Sequence, residues 1–143
     1  MITPADEILL RRAVTVAAHA VSVGDAPYGS LLAGPDGAVL IEAHNTVARD
    51  NDITAHPELK LARWAARELD REVAARTTMY TSCQPCGMCT GGIARSGLGR
   101  VVYALSTDQL VALNPSGAWP TVPQDGPALF DEARAPIVEF YRL

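Results

Sequence analysis

His56 stands two residues before Glu58, and Cys86 three before Cys89. These are the residues of the chain whose types and spacing can do chemistry. One imidazole and two thiolates suit zinc, and three protein ligands leave the fourth tetrahedral position open for water, as in catalytic sites. Two thiolates neutralise the divalent charge, a neutral imidazole adds a third bond, and the bound water then loses a proton near neutrality. A carboxylate beside that water, here Glu58, can take its proton and deliver it to a leaving group. The plainer role for Glu58 is an acidic group complementing a helix N-terminus.

Cys83 forms a second C-x-x-C pair, with Cys86. Cys86 and Cys89 are preferred as ligands because Pro85 and a helix start accompany them. Cys83, at a strand end, reads as a small buried apolar residue. A closed site of three cysteines and one histidine, structural and without chemistry, is the alternative. Three cysteines clustered within seven residues make a poor disulfide framework and suit metal binding in a reducing compartment. His19 and His44 lack ligand spacing and are expected to cap, pack or face solvent.

The elements that must position these residues are legible from punctuation and periodicity. His56 falls in the first turn of a helix expected over Ala55 to Leu69, where Pro57 costs little because first-turn N–H groups have no intrahelical partner. Pro85-Cys86 opens another helix, closed by Gly97 or Gly99. Ligands three apart at a helix start point the same way. Thr3 and Pro4 start a first helix running to about Val21. Strands are expected at Tyr28–Ala33 and Ala38–Ala43, joined by Gly34-Pro35-Asp36-Gly37, and at Thr78–Thr81 and Val101–Leu105. Thr107 is expected to cap a short helix over Asp108–Leu113. Asn114 to Gly126 reads as loop, and Pro127 to Leu143 as a last helix broken or kinked at Pro136. Strands alternating with helices imply a three-layer α/β/α domain with a mixed central sheet. Residues 1–143 are expected to form a single domain.

Apolar residues make up 48% and charged residues 20%, which fits a globular domain with a real core. No apolar run approaches a membrane span, and the first residues lack a signal peptide's basic start, so a cytoplasmic protein without membrane partners is expected. A net charge of −4, without a basic stripe, argues against a long polyanion as substrate and for a small molecule.

The H-x-E and P-C-x-x-C pairing resembles the cytidine deaminase-like superfamily, in its free-base and nucleoside branch. The likeness runs from about Pro27 to Leu105. Pro27-Tyr28-Gly29-Ser30 is similar to that family's Pro-Phe-Gly-Ala. Asn51-Asp52-Ile53-Thr54-Ala55-His56-Pro57-Glu58 and Thr81-Ser82-Cys83-Gln84-Pro85-Cys86-Gly87-Met88-Cys89 resemble segments of guanine-type deaminases, and Thr90-Gly91-Gly92-Ile93 also resembles fungal-type cytosine deaminases. The resemblance implies a cytidine deaminase-like fold with a central mixed sheet of about five strands, a zinc cofactor on His56, Cys86 and Cys89, and Glu58 as proton shuttle for attack by a zinc-bound hydroxide. It implies Asn45 and the backbone of Ala55 as substrate contacts, with Tyr28 stacking on the base. Asn45 also reads as a turn residue and Tyr28 as core. Trp119, Phe130, Phe140 and Tyr141 are candidates for a lid over the pocket, with Glu139 as a polar contact; ordinary packing or a dimer surface is the alternative. A homodimer is the family's tendency.

Gln84 stands where a Glu is frequent, and Ala94 and Arg95 where guanine-type enzymes carry bulky aromatics. The deaminase chemistry therefore carries over, and the guanine specificity does not. The resemblance implies a zinc-dependent hydrolytic deaminase of a free nucleobase or related heterocycle of guanine, cytosine or triazine type. A tRNA adenosine deaminase and a non-catalytic zinc module are the rival readings.

Overall fold

The first helix, α1 (Pro4–Ser22), starts on a reciprocal cap: the Thr3 hydroxyl accepts from the Asp6 N–H and the Asp6 carboxylate accepts from the Thr3 N–H. The computed structural model describes residues 1–143. After α1 come β1 (Gly29–Ala33) and β2 (Val39–His44), an antiparallel hairpin turned at Gly34–Gly37. Gly37 holds φ +81°, a left-handed conformation that glycine adopts without strain. β3 (Thr78–Cys83) pairs antiparallel with β1 and parallel with β4 (Arg100–Leu105), giving the order β2-β1-β3-β4.

The sheet is covered on both faces, and strand alternation decides which side chain faces which layer. Leu32 and Met79 pack with Leu61, Ala62 and Ala65 of α3 (Pro57–Glu68) and Ile93 of α5 (Gly87–Ser96). Leu31, Ala33, Tyr80 and Val102 point the other way, toward Leu9 and Leu10 of α1. This is the expected α/β/α sandwich with a mixed sheet. Buried Ala13, Ala17 and Ala20 line the inner side of α1. They bring its backbone so near β1 that a Cβ on Gly29 would collide with the backbones of Ala13 and Ala17.

The sheet has four strands and not about five. Beyond β4 the chain enters α6 (Thr107–Leu113) and then Pro115, Gly117, Pro120, Pro123, Gly126 and Pro127, which interrupt any further ladder. Two short helices, α2 (Val47–Asp50) and α4 (Arg71–Ala75), lie where the sequence suggested no helix. Ser106, and not Thr107, caps α6, in a reciprocal cap with Gln109. The last helix, α7 (Phe130–Tyr141), is shorter than expected and continues through Pro136. None of its residues is buried, so water can serve the carbonyl that Pro136 leaves without a donor.

Candidate active site

Two helix starts meet at one point. His56 is the N-cap of α3 with extended backbone, φ −82° and ψ 140°, and Pro57 begins the helix. Cys86 is the N-cap of α5, φ −70° and ψ 170°, and Gly97 at φ 89° ends that helix. The Sγ atoms of Cys86 and Cys89 each lie 3.6 Å from His56 Nδ1. All three candidate ligand atoms fall within 4.8 Å of one another. Tetrahedral zinc with ordinary Zn–S and Zn–N bonds needs S···N separations of about 3.6 Å, so the donor set fits. Cys83 stays outside this group, and no four-ligand closed site is assembled.

Glu58, in the first turn of α3, is 6% exposed. The Ser30 hydroxyl donates to its Oε1 over 3.2 Å, and the Thr81 hydroxyl lies 3.4 Å from the same oxygen. Ser30 and Thr81 are paired neighbours on β1 and β3. Sequence reasoning passed over both, although a polar residue at an inward strand position is itself a signal, because a buried hydroxyl needs a partner.

Burial pushes the Glu58 carboxyl above the usual carboxylate range, opposed by contacts with Cys89, Ser30 and His56. The Cys86 thiol is pulled down to about 4, first by a hydrogen bond with Cys89 and also by His56. Cys89 is driven the other way, chiefly by Cys86. His56 is raised, first by its contact with Cys86. One thiolate charge is thus shared by contact with a thiol and an imidazole, a donor set whose protons a divalent cation would displace.

A cavity of about 150 Å³ opens beside these groups, walled by Tyr28, Asn45, Gln84, Leu110 and Trp119 together with His56, Glu58 and Cys86. Tyr28, Asn45 and Trp119, all expected at the substrate, therefore converge on it. Asn45 is 5% exposed. Its N–H donates to the Tyr28 carbonyl, and its Oδ1 accepts from the Val47 N–H over 3.0 Å. The Nδ2 protons are the ones left for a ligand. Trp119 lies over the start of α5, where a Cβ on Gly87 would come 2.9 Å from its ring.

Ala55 does not line the cavity. Its N–H donates to Asp52 and its carbonyl accepts from Thr46. Phe130, Glu139, Phe140 and Tyr141 do not line it either; they are exposed. His19 and His44 pack edge-to-face, 5.6 Å apart, and neither joins the metal-binding group. Gln84 and Leu110 are pocket residues whose position depends on tertiary contact. Gln84 Oε1 accepts from the Thr107 N–H over 3.0 Å, which ties α6 to the segment before Cys86.

The model of the cytidine and deoxycytidylate deaminase zinc-binding region matches residues 3–105. Guanine deaminase of Bacillus subtilis is 39% identical over 99 residues, 68% of this chain and 63% of that protein, so the match spans less than two thirds of that relative. A crystal structure of guanine deaminase from B. subtilis superposes with a TM-score of 0.77 at 30% identity, covering 96% of this chain and 94% of that one. A probable cytosine deaminase of Schizosaccharomyces pombe is 32% identical over 133 residues, 92% of this chain and 80% of that protein. A tRNA-specific adenosine deaminase of Buchnera aphidicola is 32% identical over 105 residues, 73% of this chain and 69% of that protein. The matched region contains His56, Glu58, Cys86 and Cys89 in the geometry described, and the chain belongs to the cytidine and deoxycytidylate deaminase zinc-binding family.

Proposed function

We propose that this chain is a zinc-dependent aminohydrolase that deaminates a free nucleobase or related aminated heterocycle of guanine, cytosine or triazine type. The observation that carries the reading is the buried Glu58 beside a three-ligand metal group at one small cavity. His56, Cys86 and Cys89 would hold the zinc, which would supply a Lewis acid to acidify a water. Glu58, with Oε1 held by Ser30, takes the water proton on Oε2 and passes it to the ring nitrogen. As the water oxygen bonds to the amino-bearing carbon, that carbon gains a hydroxyl; Glu58 collects the hydroxyl's proton and delivers it to the amine, so the C–N bond breaks, ammonia leaves and a carbonyl remains on the ring. Asn45 donates from Nδ2 to an acceptor on the heterocycle and fixes its rotation. Tyr28 and Trp119 border its faces. Ala55 acts indirectly, by holding Thr46 beside Asn45.

The partner of the site is a small molecule, and the net charge of −4 supports this over tRNA. We assign residues 1–143 to one domain, in a cytoplasmic homodimer. Three free cysteines suit a reducing compartment, no helix is long and apolar enough to cross a membrane, and α7 exposes apolar side chains that a second copy would cover. Ammonia release from cytosine, guanine, adenine, their nucleosides, aminotriazines and an anticodon stem-loop tests the reading. Turnover of a free base supports it. Release only from the stem-loop replaces it with tRNA deamination, and a zinc-loaded protein inert on all of them overturns it.

A further inference from the structure

Lys60 lies one turn beyond His56 on α3 and is half-buried. Its ammonium donates to the His44 carbonyl over 2.7 Å and to the Thr46 hydroxyl over 2.8 Å. Those two residues flank Asn45 in the chain. The Thr46 hydroxyl in turn donates to Asp50 over 2.7 Å, and the Asn45 carbonyl lies 2.9 Å from His44 Nδ1. Asn45 sits just past the end of β2, an edge strand, where a chain exit has little sheet to hold it. The Asn45 N–H bond to Tyr28 and the Val47 N–H bond to its Oδ1 fix the residue within this corner, and neither ties the corner to α3 and the metal ligand it carries. A charge-assisted bond on each side of Asn45 is a strong anchor.

We propose that Lys60 is a positioning residue: by clamping the carbonyl before Asn45 and the hydroxyl after it, Lys60 holds the Asn45 amide at the pocket in fixed register with His56 and Glu58. One helix then carries the metal ligand, the proton carrier and the anchor of the base-orienting amide. The three move as a unit. The inference rests on the deaminase reading for its consequence in catalysis, and on the hydrogen bonds alone for its consequence in structure.

A double-mutant cycle with Asn45→Ala reads the first consequence. Lys60→Met keeps the aliphatic stem and removes the charge. It should raise KM for the base about tenfold, the affinity of roughly one hydrogen bond, with kcat changed less than about threefold and zinc content unchanged. In the Asn45→Ala background the same substitution should leave KM within about twofold, because neighbours acting through one group are non-additive. Equal loss in both backgrounds, or no loss in the wild-type background, overturns the proposal. Thr46→Val, which removes one of the two acceptors, should move KM in the same direction by a smaller factor. The Asn45 side-chain amide protons, followed by NMR in the zinc-loaded protein without substrate, read the second consequence. They should broaden or exchange faster in Lys60→Met. Unchanged signals overturn the clamp even for a protein that turned over no base, whereas failure of the deaminase reading alone would leave the NMR effect intact.

Discussion

At the residue scale, Glu58 is separable from the metal ligands. Glu58→Gln keeps the shape and the Ser30 contact but loses the proton-carrying oxygen. It should lower kcat by at least about 100-fold while metal analysis still finds one zinc per chain. His56→Ala should instead lose the zinc, because two thiolates remain where three ligands would hold the metal. Full turnover by Glu58→Gln would show that another group moves the protons. The types and spacing of His56, Glu58, Cys86 and Cys89 were legible in the sequence because metal-ligand chemistry admits few side chains. Ser30, Thr81 and Lys60 were not, because serine, threonine and lysine occur everywhere and acquire meaning only from what stands opposite them.

At the element scale, two glycines separate backbone crowding from side-chain crowding. A Cβ on Gly29 meets the backbone of α1, which is held along its length and has nowhere to go. Gly29→Ala should cost about 3 kcal/mol in urea-induced unfolding. A Cβ on Gly87 meets only the ring of a half-exposed Trp119. Gly87→Ala should leave stability within about 1 kcal/mol, shift the tryptophan fluorescence and raise KM, since the pocket wall moves and the core does not. Helix starts at Thr3 and Pro85-Cys86 were legible because caps and prolines are local signals, whereas the start of α3 was expected at Ala55 and falls at Pro57. The four- and five-residue helices α2 and α4 were not, since so few residues carry no periodicity. The supposed fifth strand came from likeness, and the prolines and glycines after Asn114 exclude it.

At the scale of the whole molecule, α1, β3 and β4 are locked through one buried carboxylate. Asp6, 3% exposed, accepts from Tyr80 over 2.7 Å and from Arg100 over 2.8 Å. Arg100 first, then the Thr3 N–H and Tyr80, hold its carboxyl well below the usual carboxylate range. Tyr80 is pushed up to about 12, by burial and then by Asp6. A depressed carboxyl stabilises the fold above its unfolded value near 4 and loses that contribution as pH falls. Asp6→Asn should therefore cost about 2 kcal/mol near neutrality, and the gap to wild type should narrow steadily as pH falls below about 4 in chemical unfolding. The raised phenol contributes fully below its unfolded value near 10 and is lost as pH rises toward 12. At the opposite extreme of burial, α7 exposes Phe130 at 72% and Phe140 at 78%. Truncation after Ala118 should convert the proposed homodimer to a monomer in analytical ultracentrifugation, and a dimer unaffected by truncation would put its interface elsewhere.

By itself, the sequence determined the candidate metal-binding residues with one cysteine to spare, the carboxylate proposed as proton carrier and the α/β/α layering. Each of these rests on local facts: ligand chemistry, helix-start residues, and the alternation of apolar side chains. Tertiary structure decided the rest. It left Cys83 outside the metal group, brought Ser30 and Thr81 to Glu58, kept Ala55 out of the cavity lining and bonded Lys60 to groups on both sides of Asn45. Those outcomes depend on which strands pair and how close a helix comes to a sheet, and such long-range contacts leave no periodic trace along the chain.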